Sequence, residues 1–193
     1  MRNLLAEYKK KKSAIRKRLK DFENNKNVFE ELCFCLLTPQ SKAVNCDKAI
    51  KQLRKKNILI YGSKKSVAKI LKKLVRFHNN KASYIVAARK SFKDFEKFKT
   101  REWLVQNIKG LGHKEASHFL RNIGLGEDVA IIDRHVIRNL KKEKIVKKIP
   151  ETITKKNYLE IENKMRKFAR KKQIPLAALD LLFWSNETGF IFK

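Results

Sequence analysis

The sequence predicts an all-α protein. Only 6 glycines and 3 prolines occur in 193 residues, so few positions force the backbone out of regular helix. Apolar residues recur at three- and four-residue spacing along the whole chain, and the two-residue alternation of a half-buried strand is scarce. With 42% hydrophobic residues, a chain of this length buries a substantial core, in one large domain or two small lobes.

The elements follow from that periodicity. Ile15, Leu19 and Phe22 lie on one helical face. Phe29, Leu32, Cys33 and Leu36 form the next stripe, which Thr38-Pro39 stops or kinks. Ala43, Cys46, Ile50 and Leu53 give a third. After the turn at Gly62-Ser63 come Val67, Ile70, Leu71, Leu74 and Val75, and the Ala-rich run from Ala82 to Phe92 forms another helix. Thr100 is placed to cap a helix with Glu102 near its positive end and Trp103, Leu104 and Ile108 inward. The next helix carries Ala116, Phe119, Leu120 and Ile123 on one face and ends at Gly124 and Gly126. Val129-Ala130-Ile131-Ile132 is short and apolar; among helices it is expected to be a buried extended segment leading to Asp133, which caps a helix through Leu140. Pro150 interrupts the chain. Tyr158, Ile161, Met165 and Phe168 mark a further helix, and Pro175 opens the last, with Leu176, Leu179, Leu182 and Phe183 on one face and Trp184 beside them.

Charge narrows the partner. Lys and Arg number 48 against 19 Asp and Glu, a net charge of +29 spread along the whole chain. A folded body so basic points to a polyanion, although a lysine-rich source or adaptation to salt or heat produces the same excess. The three cysteines, Cys33, Cys35 and Cys46, have no CxxC spacing, which argues against a disulfide framework or zinc site and for small buried hydrophobes in a reducing cytoplasm. No apolar run approaches the roughly 20 residues of a membrane-spanning helix, and the first residues lack a hydrophobic signal region.

Chemistry concentrates in Lys109-Gly110-Leu111-Gly112-His113-Lys114, a tight turn between two helices. In a helix-hairpin-helix, glycines let the backbone approach a phosphate, and the second helix aims its free N–H groups at that phosphate. Such contacts hold the DNA backbone without reading sequence. An ordinary helix–helix turn is the competing reading, and the chain's charge favours the phosphate site.

The stretch Ile108-Lys109-Gly110-Leu111-Gly112-His113-Lys114-Glu115-Ala116-Ser117-His118-Phe119-Leu120-Arg121-Asn122 resembles the hairpin of the helix-hairpin-helix DNA glycosylases. Together with Ala130-Ile131-Ile132-Asp133-Arg134-His135, it is similar to the archaeal-type 8-oxoguanine DNA glycosylase/AP lyases. Glu31 to Thr38, Tyr158 to Glu162 and Trp184 to Lys193 extend the resemblance over roughly residues 25 to 193.

The resemblance implies a single glycosylase unit over residues 1–193 with two helical lobes. The central helices and hairpin (28–128) form one lobe, and residues 1–27 with 129–193 form the other, with double-stranded DNA in the cleft between them. It implies Lys114 as nucleophile and Asp133 as the catalytic carboxylate. By the same resemblance Gly110, Gly112 and His135 are expected to contact phosphate, Phe77, Trp184 and Lys193 to recognise the flipped base, and Gln40 to enter the gap the base leaves or contact the opposite strand. Capping or core roles compete at Asp133, His135, Phe77 and Trp184. A sodium or potassium ion on the main-chain carbonyls of Gln106, Ile108 and Leu111 is a further expectation. No organic cofactor is implied, and an iron–sulfur cluster is not expected because no cysteine follows Cys46. The expected protein is a monomer in the cytoplasm, associated with the nucleoid. Its expected activity is excision of 8-oxoguanine followed by β-elimination at the abasic site. A glycosylase for another damaged base, a non-catalytic hairpin module and a basic RNA-binding protein are the rivals.

Overall fold

The computed structural model describes residues 3–95 and 99–192, and among these the chain forms eleven α-helices and one 3-10 turn, with no strand. Two compact units divide it: Asn27–Phe119 form one, and Met1–Lys26 with Leu120–Lys193 form the other.

The Asn27–Phe119 unit contains most of the shorter helices, numbered from α2 because α1 (Leu4–Glu23) belongs to the other unit. They are α2 (Val28–Leu37), α3 (Ala43–Lys55), α4 (Ile58–Tyr61), α5 (Lys64–Leu71), α6 (His78–Ser91), the 3-10 turn Phe92–Asp94 and α7 (Arg101–Asn107); α8 (His113–Asn122) crosses the boundary between units. Helix α2 buries every residue from Glu31 to Leu37, including Cys33 and Cys35, and packs on α3 and α6. Thr38 ends it by donating its hydroxyl to Cys35 O at 2.8 Å. Two details differ from the periodicity. Helix α4 is four residues long, too short to show a helical repeat. Helix α5 stops at Leu71, yet Val75 stays buried because turns carry the chain onward, with Val75 N–H donating to Leu71 O.

An aromatic cluster fixes the hairpin. Phe92 stacks on Phe95 with centroids 5.2 Å apart, and Phe119 of α8 meets Phe95 edge-on at 5.3 Å. Trp103 of α7 also packs on Phe95 but is only half-buried, so its expected inward position holds in part. Such pairs add about 0.5–1.5 kcal/mol each beyond their buried area. Arg101, buried at the start of α7, reaches across to Ser117 Oγ of α8 at 3.3 Å.

The second unit contains α1 (Leu4–Glu23), α9 (Arg134–Lys142), α10 (Lys155–Lys172) and α11 (Leu176–Thr188). Its core runs from Leu4, Tyr8 and Phe22 through Ile132 and Ile137 to Met165 and Leu182. Helix α11 packs on α1, α9 and α10, so every residue from Ala178 to Phe183 is buried. The single apolar face expected from Leu176, Leu179, Leu182 and Phe183 is therefore too narrow: three neighbours bury the helix all round.

Residues 129–133 are extended and mostly buried, as expected. Without a strand partner their backbone groups need side-chain partners. Ala130 N–H donates to Glu162 Oε1 at 2.8 Å, Ile132 N–H to Tyr158 Oη at 3.3 Å, and Tyr158 returns its hydroxyl to Ala130 O at 2.6 Å. Two side chains of α10 thus set the path into Asp133. Tyr158→Phe should destabilise the protein by about 1–3 kcal/mol, because it strands two buried backbone groups. A urea-denaturation midpoint unchanged from wild type would contradict this.

Candidate active site

The hairpin turn begins where Ile108, in extended conformation, leaves α7 and accepts Leu111 N–H at 3.1 Å. Gly110 has φ +91° and lies against Tyr84 of α6, so a side chain there would run into the Tyr84 ring. Gly112 serves differently. Its φ is not in the left-handed region; it precedes α8 and accepts the first intrahelical bond, from Ala116 N–H at 2.9 Å. A Cβ on Gly112 would stand 3.2 Å from Glu115 Oε2, so the carboxylate lies beside the helix start.

This geometry makes Lys114 the second residue of α8. Its ammonium pairs with Glu115 Oε1 at 2.9 Å, with the Lys114 side chain 29% exposed and that of Glu115 12%. Glu115 is buried at the positive end of α8, where a carboxylate is favoured. A deeper cation stands nearby. Lys81 of α6 is buried, and its ammonium donates to Leu37 O and Pro39 O at 2.7 Å each and to Ser41 Oγ at 2.8 Å. Burial pulls its pKa down to about 8, Lys114 and Arg76 push the same way, and Cys46 and Glu115 oppose. Neither Lys81 nor Glu115 stood out as a site residue in the sequence. A lysine aligned with Ile85 and Ala88 at i, i+4, i+7 was the available signal, since an apolar face rarely accepts a charge without partners.

In the other unit, Asp133 caps α9, accepting Val136 N–H on Oδ1 at 2.8 Å. Asp180 of α11 is buried against the Arg121 guanidinium, which also donates to Asn122. Burial pushes the Asp180 carboxyl up to about 7 against the pull of Arg121, and the Asp133 charge adds to the rise. His135 follows Asp133 on α9; its Nδ1 lies 4.0 Å from Glu187 Oε2 and has no hydrogen-bond partner. Glu187 also takes Lys142 at 2.7 Å and Asn139 at 3.2 Å; the Lys142 hydrogen bond, the largest effect, holds its carboxylate below the usual range.

The remaining expected residues take distinct settings. Gln40 is exposed with φ +52°, and Phe77, 51% exposed, has φ +57° with the Arg76 guanidinium over its ring at 5.4 Å. Trp184 is half-buried, meeting Phe190 at 5.2 Å and Phe192 at 6.3 Å, while Arg18 Nε donates to Phe192 O at 2.7 Å. Lys193 lies outside the described residues. Gln106, Ile108 and Leu111 belong to the end of α7 and the turn, where helix-terminal carbonyls lack intrahelical donors. Neutral carbonyls of that kind suit a hard monovalent cation. Among the described residues no group of three His, Cys, Asp or Glu side chains is placed to hold a metal, and no helix is long and apolar enough to cross a membrane.

A family model for 8-oxoguanine DNA glycosylase, of the Ogg-HhH type, matches residues 11–174. The chain is 45% identical to the 8-oxoguanine DNA glycosylase/AP lyase of Fusobacterium nucleatum, over 96% of this chain and 94% of that protein. To the Methanocaldococcus jannaschii protein of the same description it is 42% identical, over 94% and 93%. The crystal structure of the Methanocaldococcus jannaschii 8-oxoguanine glycosylase/lyase in complex with a 15mer DNA containing 8-oxoguanine superposes with a TM-score of 0.89 at 38% identity, covering 98% of this chain and 99% of that one. The 8-oxoguanine DNA glycosylase of Thermotoga maritima gives a TM-score of 0.89 at 32% identity, over 98% and 96%.

The Lys114–Glu115 contact predicts how readily Lys114 loses its proton. Glu115→Gln removes the anion that holds the ammonium charged. Reductive methylation at Lys114 near neutral pH should then run about threefold faster, the partial exposure of the pair screening a larger effect. Slower or unchanged labelling, quantified by peptide mass spectrometry, counts against this reading.

Proposed function

The chain belongs to the 8-oxoguanine DNA glycosylase family, and from that premise we propose that it excises 8-oxoguanine from DNA and then cleaves the abasic strand, with Lys114 as nucleophile and Asp133 as its acidic partner. The observation that carries the assignment is the match of the hairpin and the Asp133 segment within a chain alike from end to end to glycosylase/lyases.

The chemistry follows from the groups present. The lone pair of neutral Lys114 Nζ attacks C1′ of the flipped nucleoside. The bond from C1′ to the base breaks, and its electron pair leaves with the base, which takes up a proton. The amine nitrogen then loses a proton and its lone pair expels the ring oxygen, which takes up a proton, giving a Schiff base. Loss of a proton from C2′ expels the 3′ phosphate, and water hydrolyses the imine to free the enzyme. Asp133 supplies negative charge as positive charge develops on the sugar. With Oδ1 committed to the α9 cap, the carboxylate is held in one orientation. A lysine works here only after deprotonation, from an ordinary pKa of about 10.4, so positive neighbours favour reaction and Glu115 opposes it.

The DNA is held as a backbone and read at one flipped base. The start of α8 at Gly110 and Gly112, with His135 at the start of α9, contacts phosphate; the part-exposed imidazole of His135 supports that contact. Phe77 and Trp184 offer aromatic faces for the base, worth roughly 1–3 kcal/mol per stacked base. Lys193 reads the oxidised base, and Gln40 fills the vacated position. A sodium or potassium ion on the carbonyls of Gln106, Ile108 and Leu111 would brace the hairpin; no step of the reaction passes through it. We place the protein as a monomer in the cytoplasm, on the chromosome.

Borohydride trapping on a duplex with one 8-oxoguanine tests the assignment. Wild type should give a covalent adduct and a cut strand. Lys114→Gln should lose both while binding DNA within about threefold of wild type, since one phosphate-region charge contributes modestly. Persistent cleavage by Lys114→Gln removes Lys114 as nucleophile, and intact lesion DNA with wild type returns the protein to a binding module. Deleting Lys193 should reduce discrimination between 8-oxoguanine and guanine more than it reduces cleavage of a preformed abasic site; equal losses would assign the residue a structural role.

A further inference from the structure

Two non-glycine residues with proposed DNA contacts, Gln40 and Phe77, hold left-handed backbone at φ +52° and +57°. Such conformations cost on the order of 1 kcal/mol or more and persist only where surrounding contacts impose them. Both trace to one side chain. Lys81 spends three N–H donors on Leu37 O, Pro39 O and Ser41 Oγ, clasping the turn that presents Gln40. Ser41 Oγ in turn accepts Arg76 N–H at 3.1 Å, fixing the backbone just before Phe77. Cys46 Sγ, facing the same carbonyl of Leu37 at 3.3 Å, closes the arrangement from α3.

We propose that Lys81 is a positioning residue for the glycosylase reaction, its buried ammonium pinning the Gln40 and Phe77 segments and standing as a fixed positive charge toward Lys114. The proposal rests on Lys114 being the nucleophile. As the protonated amine, Lys81 gives one N–H to each of the three partners, which leaves it no lone pair for nucleophilic attack. The groups that face it are Lys114 and Glu115 from α8, Cys46 from α3 and Arg76 from the turn before α6. Lys114 and Lys81 repel, and that repulsion is mutual: the cost imposed on charging Lys81 is equally imposed on charging Lys114. The same ammonium therefore shapes the base-contacting segments and eases proton loss at the nucleophile.

The sign of the pH dependence is fixed. The Lys81 pKa is lowered to about 8, so the charged clasp is complete below that pH, and it loses its charge and weakens as pH rises through that value. Wild-type single-turnover excision should fall on the alkaline side near that value. Lys81→Met removes a positive neighbour of Lys114, so the acidic limb should move up by about one unit and the rate at neutral pH should drop about tenfold. Lys81→Arg keeps the charge, so it should retain the wild-type acidic limb and lose the alkaline one. Ser41→Ala breaks the link to Arg76 without touching charge; it should weaken binding of lesion duplex several-fold and leave the acidic limb in place.

Full-length proteins are compared on one 8-oxoguanine duplex, with excision rates across pH, lesion-DNA affinity and thermal midpoints measured together. A Lys81→Met protein with a lowered thermal midpoint but both pH limbs of wild type would make Lys81 merely structural and overturn the proposal. Should Lys81→Met fail to fold, Lys81→Arg and Ser41→Ala decide: an alkaline limb retained in the first, or unchanged lesion affinity in the second, overturns it. Borohydride trapping of wild type separates the two levels. An adduct at Lys114 with unmoved limbs defeats this proposal alone, whereas no adduct at Lys114 defeats the premise as well.

Discussion

The chain reversal at Gly110 is the constraint on which the rest of the site depends. Its φ of +91° and the Tyr84 ring beneath it leave no room for a side chain. That reversal makes Gly112 the residue before α8, and so Lys114 the second residue of the helix. A residue there projects beside the free N–H groups at the helix start, where an anionic backbone docks. The proposed phosphate site and the proposed nucleophile thus both follow from one turn. The aromatic packing of Phe119 on Phe95 and the Arg101–Ser117 bond hold both flanking helices to that turn. The hairpin is consequently part of the hydrophobic core rather than an appended loop.

Charge presents the second constraint, because binding and catalysis ask opposite things of a lysine. A net charge of +29 draws in a polyanion. The same surplus helps an amine lose its proton, provided the cations are close and held in place. Most lysines here are solvated and contribute only to the field. Lys81 differs, since burial and three acceptors fix its position, and Glu115 counterbalances it by pairing with Lys114. The hairpin lysine therefore pairs with one anion, Glu115, and lies within electrostatic reach of one buried cation, Lys81.

Much of this was legible from residue types whose local geometry is self-contained. Thr100 and Asp133 accept a first-turn N–H wherever a helix follows them, so their caps were readable. The hairpin was readable because two glycines two apart between amphipathic helices, in a chain of net charge +29, favour a phosphate-binding turn over an ordinary helix–helix turn. What escaped had partners distant in sequence. Lys81 finds its acceptors about 40 residues earlier, and nothing near it announces them. Helix α11 read as one-sided because periodicity records contrast, and three packed neighbours leave little contrast in Ala178 to Phe183. Helix α4 was too short to have a period at all.

Asp133 shows how a structural role and the proposed chemical one share one carboxylate without conflict. A carboxylate in solution turns freely, and the flexible side chain gives up orientation only against a cost in entropy. The α9 cap imposes that orientation in advance by engaging Oδ1. The cap in turn needs the backbone before it to be extended, which Tyr158 and Glu162 secure from α10 by occupying the donors and acceptors that a strand neighbour would otherwise take. A second carboxylate, Asp180 of α11, lies close enough to feel the Asp133 charge, yet it is buried and paired with Arg121. Of two neighbouring acids, Asp180 is buried and Asp133 only half-buried, and the proposed chemical role falls to the more accessible one. Preorganisation here follows from folding itself: the interactions that stabilise α9 are the ones that aim the acid.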